Sequence, residues 1–273
     1  MGLPLFPPGE DPGPSFAALI RQSDATRALL PAVDAARGAP PSVAHGTTVV
    51  ALRYADGVVM AGDRRATEGN VIAHRAMEKV FPADRHSAVA IAGAAGPAVE
   101  MVKLFQTQLE HYEKVEGVAL SLEGKANQLG QMVRDHLPMA MQGLVVVPLF
   151  AGYDLRLGEG RIFTYDVTGG HFEEADFAAT GSGGRDARTT IKLGWRAELG
   201  REDSIELAVR ALYEAADEDA ATGGPDLVRG IFPVVATVTA DGYERIADAE
   251  VAESFTSLVR RRSAEGGIGG TGS

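Results

Sequence analysis

The order in which the hydrophobic period changes along the chain limits its fold more than any other feature. Residues 47–54 and 57–64 are apolar, β-branched runs joined at Ala55-Asp56-Gly57, a hairpin signal. Strand-like pieces follow near 70–74 and 79–83, and 87–93 is a small-residue strand. The period then lengthens. Ala98, Val102, Phe105, Leu109 and Tyr112 recur at helical spacing, with Pro97 suited to the first turn. Leu122, Ala126, Leu129, Val133 and Leu137 repeat that spacing after Ser121, a suitable N-cap. Strands return at 145–153, 161–166 and 171–179. Helices are predicted at 185–199 and 205–222, the second with Asp203 as N-cap and Glu206 three residues on, a capping-box arrangement. Strands at 233–239 and 243–246 close the pattern.

Strands, two helices, strands, two helices and strands come in blocks. Strict alternation, which a doubly wound parallel sheet needs, is absent. Each helical pair must cover sheet surface, and each sheet has two faces. An α+β, four-layer αββα sandwich, with helices outside and two sheets inside, meets both demands.

The 273 residues are not uniform. Residues 1–46 hold eight of the 14 prolines, with weak apolar patches at 16–20 and 29–33. Residues 263–273 are Gly-rich, with almost nothing to bury, which predicts disorder. The domain reading is therefore a leader at 1–46, a folded unit at 47–262 and a tail at 263–273. A net charge of −11 argues against a nonspecific nucleic-acid or anionic-membrane binder, since both need cationic surface. Cysteine is absent, so disulfides, Cys-based zinc sites and thiol catalysis are excluded. Residues 1–20 lack the basic start of a secretory signal. The nearly uncharged stretch between Asp135 and Asp154 is broken by Pro138, Gly143, Pro148 and Gly152, so it reads as a helix end and a new strand. These features predict a soluble protein.

Several motifs fail on context. Gly267-x-Gly269-x-x-Gly272 has no strand before it or helix after it, and Gly117 to Gly124-Lys125-Ala126 has the wrong spacing for a phosphate loop. The six histidines form no His-Glu-x-x-His pair, and no metal is expected. Gly181-Ser182-Gly183-Gly184 is not Gly-x-Ser-x-Gly, because Thr180 fills the first position.

The informative place is the boundary Ala44-His45-Gly46-Thr47-Thr48. Cutting the Gly46–Thr47 bond would give Thr47 a free α-amine beside its own Oγ. With an ordinary pKa of about 7.7–8.0, that amine can take the hydroxyl proton near neutral pH. A side chain at Gly46 would crowd attack on the preceding carbonyl. Taken alone, the boundary reads more readily as a strand that starts after a leader.

Downstream residues decide the reading. Gly46-Thr47-Thr48, Gly57-Val58-Val59-Met60-Ala61-Gly62-Asp63-Arg64-Arg65-Ala66-Thr67, Lys79, Ala92-Gly93-Ala94-Ala95-Gly96 and Gly181-Ser182-Gly183 together resemble the β subunits of the proteasome core particle, within the N-terminal-nucleophile hydrolases. The resemblance runs over about residues 46–247. The long leader and residues 223–230 look like the actinobacterial form.

The resemblance implies roles. Thr47 would be the nucleophile and its amine the base. Lys79 would lower the pKa of the Thr47 hydroxyl, Asp63 would hold Lys79 charged and oriented, and Gly93 N–H would donate to the oxyanion. Ser182 and Asp226 would position the Thr47 amine and a water. Arg229 stands where many members carry Ser or Thr three residues after that Asp, so the hydroxyl must be replaced or absent. Thr67, Gly93 and Ala95 match positions that pair with an extended substrate. Ala66, Met77, Phe81, Ile91, Ala95 and Val99 would line an apolar first specificity pocket. The implied assembly is seven-membered β rings stacked between α-subunit rings in a four-ring barrel, with a ring-shaped ATPase on the α rings, in the cytoplasm and without a cofactor. A shorter bacterial ATP-dependent peptidase that also begins Thr-Thr and a non-catalytic ring subunit are the rivals. The 227 residues after the cut exceed the first, and the second would normally lose Thr47, Lys79 or Gly46.

Overall fold

The computed structural model describes residues 46–68 and 71–266, with side chains as far as 263. The rest of the leader and residues 267–273 lie outside the described residues. Strands β1 (Thr48–Tyr54), β2 (Gly57–Gly62), β3 (Ala66–Glu68), β4 (Val71–His74), β5 (Val80–Asp84) and β6 (Ser87–Gly93) come first. Helices α1 (Ala95–Glu116), α2 (Leu122–Asp135) and the short α3 (Leu137–Ala140) follow. Then come β7 (Val146–Asp154), β8 (Glu159–Tyr165), β9 (His171–Glu174) and β10 (Phe177–Gly181), and helices α4 (Gly184–Gly194) and α5 (Arg201–Glu218). Strands β11 (Val234–Thr239) and β12 (Gly242–Arg245) precede a last helix, α6 (Asp248–Gly266).

Two antiparallel five-stranded sheets result, ordered β10-β1-β2-β11-β12 and β5-β6-β7-β8-β9, with β3-β4 as a separate pair. Val49, Ala51, Val58, Met60, Ala88, Ala90, Leu149 and Ile162 form the core between the two large sheets. The opposite face of the first sheet packs against α4, α5 and α6 through Val50, Leu52, Ile191, Leu212, Val251 and Phe255. The outer face of the second packs against α1 and α2 through Val89, Phe105, Leu129, Phe150 and Phe163. The central strands of both sheets are therefore apolar on both faces, as burial between a helical layer and a second sheet demands, while the edge strands β9 and β12 are polar. This is the αββα sandwich that the block order predicts. No helix among the described residues is long and apolar enough to cross a membrane.

Four local readings change. The predicted strand 171–179 is two strands, because the chain crosses at Ala175-Asp176 from the second sheet to the first. Arg53 fixes the crossing, donating its N–H to Asp176 O (2.8 Å) and its guanidinium to Ala175 O (3.0 Å). The helix predicted over 185–199 stops at Gly194; Trp195 turns extended and its indole N–H reaches Arg53 O at 2.8 Å. Asp203 is not an N-cap. The helix begins at Arg201, with Gly200 as N-cap and no side-chain cap, and Arg201 reaches back to Glu250 of α6 at 2.6 Å. Finally, α6 adds a helix that the strand-closing pattern omits and runs four residues past 262. Its buried Val251, Phe255 and Leu258 carry the helical spacing. The Ser121 cap forms as expected, accepting from Gly124 N–H at 3.1 Å.

Phe105 is fully buried and meets Phe150 edge to face at 5.9 Å. Phe105→Ala should cost about 3–5 kcal/mol, measured by denaturant unfolding of the full chain. A loss below about 1 kcal/mol would mean that Phe105 does not close this layer.

Candidate active site

Four segments converge at the start of β1. Asp63, just past β2, is fully buried, and its backbone N–H donates to Thr48 O at 3.1 Å. Its carboxylate accepts four hydrogen bonds. Oδ1 takes Thr48 N–H (2.9 Å) and Lys79 Nζ (2.7 Å), while Oδ2 takes Arg65 N–H (2.8 Å) and Gly223 N–H (2.8 Å). Lys79 is 1% exposed and also donates to Arg65 O at 2.6 Å. Its own carbonyl accepts from Ile91 N–H at 2.9 Å, which anchors it to β6. Burial pushes the Lys79 ammonium below the usual lysine range, and the charge and hydrogen bond of Asp63 oppose that shift. Because Lys79 Nζ and Thr48 N–H share one oxygen, the ammonium sits beside the Thr47–Thr48 backbone.

Thr47 is buried, at 5% exposure. Its carbonyl accepts from Ser182 N–H at 2.9 Å and more weakly from Ser182 Oγ at 3.5 Å. Gly46 N–H donates to Thr67 Oγ1 at 3.2 Å, so a predicted substrate-side residue already holds the last residue of the leader. A Cβ at Gly46 would lie 1.8 Å from Ala221 Cβ. The glycine is thus required by close approach of a loop, as well as by access to its carbonyl. Gly93 ends β6 at φ +109°, where a Cβ would meet Val145 O at 2.1 Å. Among the pocket candidates, Phe81 and Val99 pack half-buried against the core cluster that includes buried Ile91, while Ala66 is buried on β3 and Met77 and Ala95 are half-buried.

Asp226 does not join this group. It accepts from Arg229 N–H (2.9 Å) and the Arg229 guanidinium (2.7 Å), which hold its carboxyl below the usual range. The carboxylate bonded to Ser182 Oγ is Asp219, at the C-cap of α5. Thr222 Oγ1 also donates to Asp219 Oδ2, at 2.6 Å, and Ala221 N–H donates to Oδ1 at 3.1 Å. Burial would raise the Asp219 pKa, but the Ser182, Thr222 and Ala221 hydrogen bonds and the charge of Arg65 outweigh it and hold the carboxyl below the ordinary range. Asp219 and Thr222 show the Asp-x-x-Thr spacing that fails at Asp226–Arg229, seven residues earlier. That spacing was the available sequence signal. Among the described residues, no group of three or more His, Asp or Glu side chains is placed to hold a metal ion.

The arrangement therefore places a buried cation, an ionised carboxylate and a hydroxyl around one threonine that follows a glycine. A family model described as proteasome subunit matches residues 43–228, which include every one of these groups. The chain belongs to the proteasome subunit family. It is 65% identical over 267 residues to the proteasome subunit beta of Acidimicrobium ferrooxidans, covering 97% of each chain. Against the proteasome subunit beta of Streptomyces griseus it is 59% identical over 233 residues, 85% of this chain and 82% of that one. Against that of Acidothermus cellulolyticus it is 56% identical over 236 residues, 85% and 81% of the two chains. As a beta-type member of the proteasome family, the chain is a threonine-type peptidase.

The two aspartates can be told apart by substitution. Asp219→Asn should lower peptidase activity on the order of 10²-fold. Asp226→Asn should stay within about twofold of the parent, as surface changes usually do. Initial rates on a short fluorogenic peptide check both, and the reverse ranking would restore Asp226 to the site.

Proposed function

We propose that the chain is a precursor that cuts itself at Gly46–Thr47 and then works as the catalytic beta subunit of a proteasome. The observation that carries this reading is the buried Asp63–Lys79 pair, whose shared oxygen also fixes the backbone next to Thr47. In self-processing, Thr47 Oγ attacks the Gly46 carbonyl and the C–N bond breaks, leaving an ester and a free Thr47 amine. Water then cleaves the ester and releases the leader with a carboxylate at Gly46. Before this cut the Thr47 nitrogen is an amide and cannot act as base. The Oγ proton ends on the departing Thr47 nitrogen, and the Lys79 ammonium, which shares an Asp63 oxygen with Thr48 N–H, stabilises the alkoxide as it forms.

After the cut, the Thr47 amine takes the Oγ proton and Oγ attacks the substrate carbonyl. Gly93 N–H stabilises the oxyanion, the new amino terminus leaves with the proton, and water hydrolyses the acyl-enzyme. Lys79 donates two hydrogen bonds among the described residues, and its third N–H serves the developing alkoxide. Ser182 and Asp219 hold the Thr47 ammonium and the water. Ala66, Met77, Phe81, Ile91, Ala95 and Val99 favour an apolar residue before the cut bond, and Thr67, Gly93 and Ala95 pair with its backbone. The relatives' names support assembly with alpha subunits. Seven-membered beta rings between alpha rings, fed by an ATPase in the cytoplasm, complete the reading.

Intact mass tests the first step: the purified chain should lose residues 1–46, whereas Thr47→Ala, expressed as the only beta subunit, should keep them and lack peptidase activity. A matured Thr47→Ala chain would remove Thr47 from the role. The pH profile tests the second. Asp219 is held below the ordinary carboxylate range, so it stays ionised at neutral pH and its contribution is lost only on acidification through that lower value. Any acid limb of kcat/KM between about pH 6 and 8 should therefore report the Thr47 amine, of ordinary pKa about 7.7–8.0.

A further inference from the structure

The residue after the nucleophile is fully buried yet polar on both its groups. Thr48 is 0% exposed, its N–H binds Asp63, and its hydroxyl contacts Thr222 Oγ1 at 2.6 Å while accepting Gly183 N–H at 2.9 Å. Proton counting fixes the direction of this chain. The Asp219 carboxylate can only accept, so Thr222 spends its one proton there. Thr222 Oγ is then left as an acceptor, and Thr48 must donate to it. The only lone pair Thr48 needs for Gly183 N–H remains available. The order is Gly183 N–H to Thr48 O–H to Thr222 O–H to Asp219, which also receives Ser182 O–H. Hydrogen bonds aligned head to tail strengthen one another, and the Thr48 and Thr222 end of this chain is fully buried.

We infer that Thr48 is a positioning residue, which couples the Asp63–Lys79 pair to the Ser182–Asp219–Thr222 group through its N–H and its hydroxyl. The inference rests on the reading of Thr47 as nucleophile. Thr48 touches no reacting atom; it aims Thr222 and so keeps Asp219 directed at Ser182 and the Thr47 terminus. The charged groups that act on Asp219 are Arg65 and Lys79, and Lys79 is paired with Asp63. Arg65 also donates its guanidinium to Ala220 O at 2.8 Å, tying the loop that carries Asp219 and Thr222 to the end of β2. Neither cation is bonded to Thr48, so removing the Thr48 hydroxyl changes the carboxylate's hydrogen bonding and leaves its charged neighbours in place.

Thr48→Val keeps the shape and removes the hydroxyl, and Thr48→Ser restores it. In the full chain, Thr48→Val should lower kcat about tenfold, one ordinary hydrogen bond's worth, with KM little changed. With Asp219 less well held, its carboxyl should titrate higher, so the second, steeper fall of kcat/KM, which lies below the limb that reports the Thr47 amine, should begin at higher pH. Thr48→Ser should return both towards the parent. Thr222→Val should show the same loss, and the double variant should be no worse than either single one, because both break one chain. Parental kinetics and pH profile in Thr48→Val, or equal loss in Thr48→Ser, would overturn the inference, the second by making Thr48 a matter of packing alone. Additive losses in the double variant would overturn it too. If Thr48→Val is not recovered folded, the Thr222→Val pH profile decides alone: an unmoved second fall, below the limb of the Thr47 amine, overturns the inference. Intact mass of the parent, run alongside, separates this from failure of the nucleophile reading, since a parent that keeps residues 1–46 refutes that reading instead.

Discussion

One buried carboxylate organises this molecule. Isolating an ionised group from water is costly unless its lone pairs are filled, and Asp63 fills its own from four separate stretches of chain. The start of β1, the link after β2, the residue before β5 and the loop between α5 and β11 must each deliver a donor to it. Satisfying the charge therefore registers both sheets and the active-site loop against one another. The partner cation is as constrained as the acid. Replacing such a pair with apolar residues often does no harm to stability, so its presence points to a task for the charge, and the neighbouring Thr47 supplies one.

A second carboxylate, Asp219, completes the site from the helical layer. It sits where α5 ends, and its three donors are Ser182, from across the fold, and Ala221 and Thr222 of its own turn. The two acids do different work. Asp63 holds a cation in a dry interior, whereas Asp219 is half-buried beside exposed Ser182, where a new amino terminus and water have room. Thr48 joins the two centres, which explains a fully buried hydroxyl in the first position of a core strand.

The layers were legible because burial on both faces writes continuous apolar strands and the helices keep their period. Thr47, Asp63 and Lys79 were legible as a spaced set, and the structure brings Asp63 and Lys79 into contact beside Thr47. Other features depend on contacts distant in sequence. The break at Ala175-Asp176 is imposed by Arg53, more than a hundred residues earlier, and nothing in the apolar pattern of 171–179 marks it. Asp219 was hidden by a boundary. A helix drawn through 222 makes Asp219 and Thr222 interior helical residues, whereas α5 ends at Glu218 and Asp219 turns extended at φ −115°, ψ 107°. Asp226 is a candidate only through the family resemblance, and its own turn and Arg229 take up its carboxylate.

The claim at the centre of this account is that the buried ammonium of Lys79 activates Thr47. Lys79→Met removes the charge at nearly constant volume, and Asp63 keeps three backbone N–H donors, so the fold has a route to survive the change. Intact mass of the purified Lys79→Met chain, expressed as the only beta subunit and checked for folding by circular dichroism, is the direct test. The account predicts a folded chain that still carries residues 1–46. A folded Lys79→Met chain that begins at Thr47 would contradict it.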